Sequence, residues 1–379
     1  MTARSEHPGT VARAPGSTAL RTLGVEEEFL LLDPGTGRPR AVGTGVLAAW
    51  DGTEDADGAG LTGELHREQL ETGTKPCRTL DELAAQLRAT RADAAAAAAE
   101  VGAAVAPLGT SPLPVEPTLS PSPRYARIAE RFGITVDDQL TCGCHVHVAI
   151  GSAEEGVAAL DRIRPWLAPL VALTANSPFW QGADSGHASF RSQVWSRWPS
   201  AGAYAPFGSA AGYRAFVDGV LATDTVVDEG MLYLDARLSR DHPTLEVRVS
   251  DVCRDADDAV LVAALVRGLV ETAVRDWRAG LEVPDVRTEV LRLAAWRAGR
   301  SGTGGNLLLP GDWRPAPAAD VLGALVAHVA DALDEAGDRT VVDTLLAAVL
   351  ARGPGAERQR AVWARTGSAA EVAKDAVLP

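Results

Sequence analysis

The sequence predicts an α+β fold in which an antiparallel sheet has one apolar face and one face of charged side chains. Three stretches support this prediction, because residues 23–33, 232–239 and 244–251 each alternate apolar residues with acids or bases. Successive side chains of a strand point to opposite faces, and antiparallel sheets commonly pack one face and expose the other to water. Helical patterns fill most of the chain beyond about residue 285. We therefore expect a ligand site on the wet face.

The length and composition predict one large folded unit. The chain has 379 residues, of which 46% are hydrophobic, and this is enough for a sizeable core. Residues 1–20 mix Pro, Gly, Ser and scattered charge without periodicity, and we expect them to be a disordered lead-in. Residues 21–379 are predicted to form a single domain whose last part, about 285–379, is mainly helical.

The charge and the apolar patterning exclude several classes of function. A formal net charge of -14 argues against general binding to nucleic acid or anionic membranes. No apolar segment approaches the roughly 20 residues that cross a bilayer, and the N-terminus lacks the apolar core of a signal peptide. With only four cysteines in the chain, these features predict a cytoplasmic protein with reduced thiols.

The first strand carries three consecutive acids. Glu26 and Glu28 share one face, whereas Glu27 points to the face of Leu23 and Val25. Two neighbouring carboxylates repel each other, so a positive group should lie between them. A hard divalent cation such as Mg²⁺ or Mn²⁺ suits carboxylate oxygens, and it often bridges to phosphates. The alternative is a solvated edge strand.

A second acidic segment covers residues 63–74, and its conformation is open. A helix would align Glu64, Glu68 and Glu71, whereas a strand would align Gln69 with Glu71. The following Thr79–Glu82 pattern is a capping box and predicts a long helix to about residue 104.

Residues 139–150 contain two cysteines and two histidines in six positions. In a strand, Cys142 and Cys144 lie on one face while His145 and His147 lie on the other, so one zinc ion cannot easily bind all four. The histidine pair is compatible with a metal or a phosphate-bearing ligand, or with two hydrogen-bonded histidines of an ordinary sheet. The cysteines are expected to be buried, inert thiols.

Two later regions supply arginines. A loop rich in Gly, Ser and aromatic residues follows residue 175 and carries Arg191, which would pair with a carboxylate or phosphate, or form an ordinary salt bridge. The late strands place Arg237 and Arg248 on the same faces as acids, the latter beside Glu246. Acids, histidines and arginines of this kind are typical of a site that holds metal-bound polyphosphate. No Walker A motif is present, so phosphoryl transfer here would not use a P-loop.

Several motifs, taken in order, resemble a known family. GVEEEF, QLETGT, CGCHVHV, SPFWQGADSGHASFRS, TLEVRVSD and AAWRAGRSG resemble the carboxylate-amine ligase family of bacterial type 2 glutamate-cysteine ligases, from about residue 23 to residue 302. This family resembles a branch of the glutamine synthetase and glutamate-cysteine ligase superfamily. The resemblance implies an antiparallel sheet that forms a funnel-shaped active site flanked by helices.

The same resemblance implies an ATP-dependent ligase. A substrate carboxylate attacks the γ-phosphate of ATP to give an acyl phosphate, and an amine then displaces phosphate to form an amide. With L-glutamate and L-cysteine the product is γ-glutamylcysteine, formed by a weak or a genuine glutamate-cysteine ligase activity. The implied cofactors are ATP and Mg²⁺ or Mn²⁺, and the implied partners are small molecules, with neither nucleic acid nor membrane. Soluble enzymes of this size are often symmetric dimers, so a homodimer is one expected assembly.

The resemblance also implies roles for individual residues. Arg248 and Glu246 are the catalytic residues, with Arg248 stabilising charge on the transferring phosphoryl group. Arg237 would bind the ATP phosphates, and Arg191 would bind the substrate carboxylate. His147 would bind either ATP or the substrate. The metal ligands implied by the matching motifs are Glu26, Glu28, Glu64, Glu71, His145 and Glu246. The chain departs from the motif's usual Arg-Tyr-Gly-Leu ending at residues 300–303, which read Arg-Ser-Gly-Thr.

Other interpretations predict different behaviour. A metal-dependent hydrolase would need no ATP, and a non-catalytic ATP- or amino-acid-binding relative would bind ATP without turnover. Glutamine synthetase itself fits the helical C-terminus and the length less well, and it would depend on ammonia.

Overall fold

The computed structural model describes residues 20–52 and 59–379, so nearly all of the predicted lead-in lies outside the described residues. In chain order, the strands are β1 (Leu23–Leu32), β2 (Gly60–Gly63), β3 (Gln69–Gly73), β4 (Ala104–Ala106), β5 (Gly143–Ala149), β6 (Phe179–Trp180), β7 (Ala183–Asp184), β8 (Ala236–Leu238), β9 (Thr244–Asp251), β10 (Asn306–Leu308) and β11 (Pro315–Pro317).

The helices alternate with these strands and dominate the C-terminal part. They are α1 (Gly43–Ala49), α2 (Leu80–Glu100), α3 (Pro123–Phe132), α4 (Ile134–Asp137), α5 (Ala153–Ile163), α6 (Leu167–Leu173), α7 (Arg191–Trp195), α8 (Ala210–Ala222), α9 (Ala256–Arg278), α10 (Thr288–Ser301), α11 (Ala318–His328), α12 (Ala330–Ala336), α13 (Arg339–Arg352), α14 (Gly355–Thr366) and α15 (Ala369–Asp375). Short 3₁₀ turns cover Arg164–Trp166, Glu229–Met231 and Gly302–Gly304. Within the described part of the chain, no helix is both long and apolar enough to cross a membrane.

The main sheet has seven strands, and every pairing in it is antiparallel. Its order is β2-β3-β1-β5-β9-β8, with β4 pairing to the other part of β1. The prediction of an α+β fold on an antiparallel sheet is confirmed. The acidic first strand is central rather than an edge strand, which excludes the alternative of a solvated edge.

One face of the sheet packs on helices α2, α5 and α9. The apolar side chains of Val146 and Val247 share a core with Leu261 and Leu265 of α9, and all four are at most 1% exposed. Burial of each such side chain stabilises the fold by roughly 1.5–3 kcal/mol. This packed face fixes the sheet, so that the opposite face can carry charge.

Glu27 crosses to the packed face and meets a cation there. Its two carboxylate oxygens accept hydrogen bonds from Nε and a terminal nitrogen of Arg91 at 2.8 and 2.6 Å. Arg91 also donates to the backbone carbonyls of Cys253 and Arg254. The predicted capping box of α2 is present, because Thr79 and Glu82 exchange hydrogen bonds with each other's backbone. The cap and the ion pair thus orient α2 on the sheet.

The structure settles the open segment as a strand. Residues 69–73 form β3, because Glu71 pairs with Glu28 of β1 across the sheet. The alternative of a helix is wrong here. Glu68 then points away from Glu71, and its carboxylate accepts a hydrogen bond from the Thr118 amide.

Some element boundaries differ from the expectation. The pattern over residues 232–239 predicts a long strand, but the strand of the main sheet covers only Ala236–Leu238. Leu234 instead forms an isolated bridge with Gly202, and a 3₁₀ turn precedes it. Residues 318–336 carry one continuous helical pattern, but they form the two helices α11 and α12, which are separated at Val329, where ψ is 10°. The short helix α15 and the small hairpin of β10 and β11 have no counterpart among the predicted elements.

Candidate active site

The wet face of the sheet gathers acids and histidines from four strands. Strand register brings them together, because Glu26 pairs with His145, Glu28 with Glu71, and His147 with Glu246. Two overlapping groups have ligand atoms within 4.8 Å of one another, namely Glu26 with His147 and Glu246, and Glu26 with Glu71 and His145. We call these residues, together with Glu28, the acid–histidine cluster.

Glu26 lies at the centre of the cluster. One of its carboxylate oxygens is 3.3 Å from Nδ1 of His145, and the other is 3.3 Å from Nε2 of His147. Burial raises the pKa of Glu26, but the two imidazoles outweigh burial and hold that pKa well below its usual range. Glu26 is therefore ionised.

Glu28 and Glu71 lack such compensation. Burial and the nearby Glu64 carboxylate raise the pKa of Glu28 to about 7, against the opposing effects of Arg191, Arg248 and a 2.5 Å hydrogen bond from the Gly143 amide. Burial and the carboxylates of Glu64, Glu26 and Glu28 raise the pKa of Glu71 well above its usual range. Such acids are stabilised in their ionised form by an added cation.

The two histidines differ in charge preference. Burial and the Arg248 guanidinium lower the pKa of His145 to about 4, so its imidazole is neutral. Its buried Nε2 has no hydrogen-bond partner among the described residues and lies 3.9 Å from Glu28. Burial lowers the pKa of His147, but Glu26 outweighs burial and raises it overall. A neutral imidazole with a free ring nitrogen is the form that binds a metal ion.

Glu246 is enclosed by two arginines. Arg237 donates to one carboxylate oxygen from Nε at 2.7 Å, and Arg248 donates to the other. Burial raises the pKa of Glu246, but Arg248 and Arg237 outweigh it and keep that pKa far below its usual range. Arg237 also donates to the carbonyls of Gly230 and Leu232, so its guanidinium is already held in place.

Arg191 is held by a network that the sequence pattern does not reveal. Its amide donates to Ser177 Oγ at 2.9 Å, and Ser177 Oγ in turn donates to the Asp251 carboxylate at 2.6 Å. Asp251 also accepts hydrogen bonds from Ser189 Oγ and the Asn176 amide. In the part of the chain that the structure describes, Nε and one terminal nitrogen of the buried Arg191 guanidinium have no hydrogen-bond partner. These free donors adjoin Gly143, where any side chain would collide with the guanidinium.

Glu64 occupies a different position from the other predicted ligands. It lies in the loop between β2 and β3, and its carboxylate accepts a hydrogen bond from the Leu65 amide. It lies close enough to raise the pKa values of Glu28 and Glu71, but it belongs to neither of the two groups around Glu26. The structure thus places it at the rim of the cluster.

Two cavities adjoin the cluster. One of about 510 Å³ is lined by Glu28, Glu64 and Arg248, together with the aromatic residues Trp195, Trp198, Tyr125 and Tyr233. A second of about 240 Å³ is lined by His147, Arg237, Arg240 and His242, among others. Glu26 and Glu71 line both cavities.

Several residues of this region are not among the candidate site residues that the sequence predicts. Asp251 ends the TLEVRVSD motif, but the alternation assigns it to the packed face. The alternation over residues 232–239 places Asp235 on the polar face, and this could have marked it as a candidate. Its spacing from the other candidate residues, however, does not link it to the site. The aromatic residues come from separate segments that only the fold brings together. Both cysteines of residues 139–150 are buried free thiols, as expected.

Comparisons with known proteins identify the family of the chain. A model of glutamate-cysteine ligase family 2 matches residues 22–377. The chain is 51% identical over 358 residues to "Putative glutamate--cysteine ligase 2-1" of Streptomyces avermitilis, covering 94% of this chain and 99% of that protein. A relative of the same family name from Streptomyces coelicolor is 50% identical over 353 residues, covering 93% and 97%.

Two solved structures share the fold at 14% sequence identity. The bifunctional glutathione synthetase of Pasteurella multocida superposes with a TM-score of 0.66, covering 94% of this chain and 52% of that one. The glutamate-cysteine ligase of Francisella tularensis, solved in complex with AMP, gives 0.64 and covers 94% and 87%. The predicted fold class and the predicted resemblance are both confirmed. The chain belongs to glutamate-cysteine ligase family 2, and it is an ATP-dependent ligase that joins a carboxylate to an amine.

Proposed function

We propose that the protein phosphorylates the γ-carboxylate of L-glutamate with ATP and transfers the activated acyl group to an amine, with L-cysteine as the first acceptor to test. One observation carries the proposal. The acid–histidine cluster contains two carboxylates, Glu28 and Glu71, whose pKa values stay raised, and it faces buried guanidinium groups whose free donors have no partner among the described residues. An assembly of this kind suits a polyanion that arrives with its own cations.

The donor set fits hard divalent cations, for which we propose Mg²⁺ or Mn²⁺. The residues that would hold them are Glu26, Glu28, Glu71, His145 and Glu246, with Glu64 at the rim. The orphaned Nε2 of His145 and the raised pKa values of Glu28 and Glu71 support this assignment. Bound cations would neutralise charge on the ATP phosphates and so lower their repulsion of an incoming carboxylate.

The chain's own arginines then have distinct tasks. Arg191 offers free donors to the substrate carboxylate and holds it in place for attack. Arg248 keeps one unpaired Nε beside Glu246, and we assign it to the charge of the transferring phosphoryl group. Arg237 lines both cavities at the cluster and would bind ATP phosphates, with His147 nearby. Glu246 orients both of these arginines.

The reaction follows in two balanced steps. A carboxylate oxygen of glutamate forms a bond to the γ-phosphorus of ATP while the bond to ADP breaks. The amine nitrogen then bonds to the acyl carbon, the carbon–oxygen bond to phosphate breaks, and the amine proton passes to solvent. Phosphate leaves in place of hydroxide, which is why ATP is needed.

The first experiment measures ADP release by the purified protein with ATP and Mg²⁺ across a panel of carboxylates, with and without amines, and identifies products by mass. Adding hydroxylamine instead of an amine traps an acyl phosphate as a hydroxamate. Carboxylate-dependent ADP and hydroxamate support the proposal. Metal-dependent hydrolysis without ATP, or ATP binding without turnover, would replace it with one of the alternative activities.

We further propose a cytoplasmic homodimer that acts on small molecules and not on nucleic acid. The net charge of -14 and the four free, buried thiols support these assignments. Light scattering of the purified protein during gel filtration measures the mass of the assembly, and a monomer mass would contradict the dimer.

A further inference from the structure

A third cavity, of about 500 Å³, lies on the other side of Arg248 and Trp195, which line both it and the larger cavity of the cluster. Its volume falls within the roughly 300–1,000 Å³ typical of small-ligand sites. Much of its wall is apolar, and this part comprises Val171, Leu234, Val249, Leu293 and Trp296. We call it the apolar side cavity.

Helix α10 forms the outer wall of this cavity and is fixed to the loop that carries Arg191. The carbonyl of Gly299 accepts hydrogen bonds from the amides of Ala188 and Ser189 at 2.9 and 2.8 Å. The helix and the residues around Ser192 approach so closely there that a Cβ at Gly299 would lie 2.5 Å from Ser192 Oγ. The AAWRAGR motif, which the cluster leaves unexplained, thus builds this wall.

Two large apolar side chains of α10 remain unusually open at the cavity. Leu293 is 62% exposed and Trp296 is 50% exposed, and they lie three residues apart on one side of the helix. Exposed apolar surface beside a concave site commonly marks where a ligand buries its own apolar part.

Two carboxylates line the cavity, and that of Asp235 has no partner among the described residues. Asp235 is placed by its backbone, since its amide donates to the Gly202 carbonyl and its carbonyl accepts from the Arg248 amide. Its side chain forms no hydrogen bond or ion pair with any described residue. The charged group with the largest electrostatic effect on it is the guanidinium of Arg292, which also lines the cavity. The other charged groups of the lining are Arg191, Arg248 and Glu289.

We propose that the apolar side cavity binds the amine substrate, and that it selects a primary amine whose apolar body is larger than the side chain of cysteine. This inference rests on the proposed function. Asp235 attracts the ammonium group of the free amine and repels a carboxylate substrate, which the free donors of Arg191 hold instead. The apolar wall then buries the hydrocarbon part of the amine, at roughly 25 cal/mol per Å². Cysteine would leave most of that wall exposed.

The position of the cavity suits the second step of the reaction. Arg248 and Trp195 separate it from the cluster, so an amine bound there lies beside the place where the acyl phosphate forms. After loss of a proton to solvent, the amine nitrogen bonds to the acyl carbon and phosphate leaves.

The test compares amines of different size with glutamate as the fixed carboxylate. The panel contains L-cysteine, L-leucine, L-phenylalanine, 3-methylbutylamine and 2-phenylethylamine, and the readout is kcat/KM from ADP release with product mass. We expect at least one of the larger amines to exceed L-cysteine by about 10-fold, the scale on which a hydrophobic pocket discriminates. A highest kcat/KM for L-cysteine would overturn the inference.

Variants of the wall separate this inference from the proposed function. L293S and W296A should each raise the KM for the best amine about 10-fold, whereas hydroxamate formation from hydroxylamine, which is small and uncharged, should not change. L281S is the matched control, because Leu281 is 54% exposed and lies outside the cavity. Equal amine KM values in L293S, W296A and L281S would overturn the inference alone. Absence of hydroxamate from the unmodified enzyme would overturn the proposed function and the inference with it.

Asp235→Asn gives an independent readout of charge. It should lower kcat/KM for the cationic amine by at least about 10-fold while leaving hydroxamate formation and the KM for glutamate unchanged. An equal loss with hydroxylamine would show that Asp235 acts on the first step, which contradicts the inference.

Discussion

Glu26 and Glu27 are adjacent residues of one strand with opposite environments. Glu27 is fully buried on the packed face, where Arg91 binds both of its carboxylate oxygens. Glu26 lies on the wet face, where its carboxylate oxygens lie 3.3 Å from ring nitrogens of two histidines and form no ion pair with an arginine or lysine of the described residues. The same side chain therefore serves the fold at one position and the site at the next.

The two carboxylates differ in whether a cationic side chain of the protein neutralises them. At Glu27 an arginine of the protein neutralises the carboxylate on the packed face, and loss of that carboxylate would leave a buried cation unpaired. Glu28 and Glu71, whose pKa values burial raises, destabilise the fold when they are ionised and are available to a ligand. Glu155 and Asp235 repeat the contrast elsewhere, since Glu155 binds Arg21 and Arg278 while Asp235 has no partner among the described residues.

The largest effect that this comparison predicts is on stability at Glu27. Glu27→Gln leaves the buried Arg91 charge uncompensated and should lower the free energy of unfolding by about 3–5 kcal/mol. Urea denaturation measures this change, and ADP formation per folded molecule should stay near normal. A loss below about 1 kcal/mol would show that the pair is not structural. The double variant Glu27→Leu/Arg91→Met removes both charges and should recover part of the loss.

The reciprocal change is Glu26→Gln. It should reduce ADP formation by about 10²- to 10³-fold, or roughly 2.7–4 kcal/mol in the barrier, because it removes charge from the centre of the cluster. The free energy of unfolding, measured with EDTA present, should fall by less than about 1 kcal/mol. Near-normal turnover would contradict the assignment of the cluster. Glu27→Gln is the matched control, since it makes the same substitution one residue away.

Much of this contrast could be predicted from the sequence. Period-two alternation separates Glu27 from Glu26 and Glu28, and it places His145 and His147 together, because the geometry of a strand is local. The capping box of α2 is local in the same way. These patterns predict which side chains share a face as soon as the segment is known to be a strand or a helix.

What escaped prediction depends on contacts that are distant in the chain. The segment around Glu71 fits a helix or a strand equally well, and only its pairing with β1 decides between them. Asp251 orders the Arg191 loop through Ser177 and Ser189, which lie more than 60 residues away. The placement of Leu293 at a cavity likewise depends on how α10 packs, which no spacing encodes.

Asp235 tests the comparison through pH. Burial raises the pKa of Asp235 to about 6, above the roughly 3.9 of an unfolded chain. The folded state therefore binds more protons between about pH 4 and pH 6, so this group's contribution to stability falls as pH rises through that window and is lowest above it. Asp235→Asn should then be more stable than the unmodified protein by about 2–3 kcal/mol at pH 8, with little difference at pH 4. Thermal or urea unfolding at both values checks this, and a variant that is less stable at pH 8 would show that Asp235 has a partner.

The smallest predicted effect comes from the helix that carries Arg91. Thr79 caps α2 by accepting a hydrogen bond from the Glu82 amide at 3.1 Å, and the Glu82 carboxylate accepts one from the Thr79 amide at 3.2 Å. Thr79→Ala should lower the free energy of unfolding by about 1 kcal/mol, the usual cost of losing such a cap. Because α2 packs on the apolar face of the sheet, opposite the acid–histidine cluster, kcat and all KM values should stay unchanged. Thr79→Ser keeps the hydroxyl and should recover most of the stability. A change in ADP formation with Thr79→Ala would mean that the packed face transmits strain to the cluster, and the two faces of β1 would then not be independent.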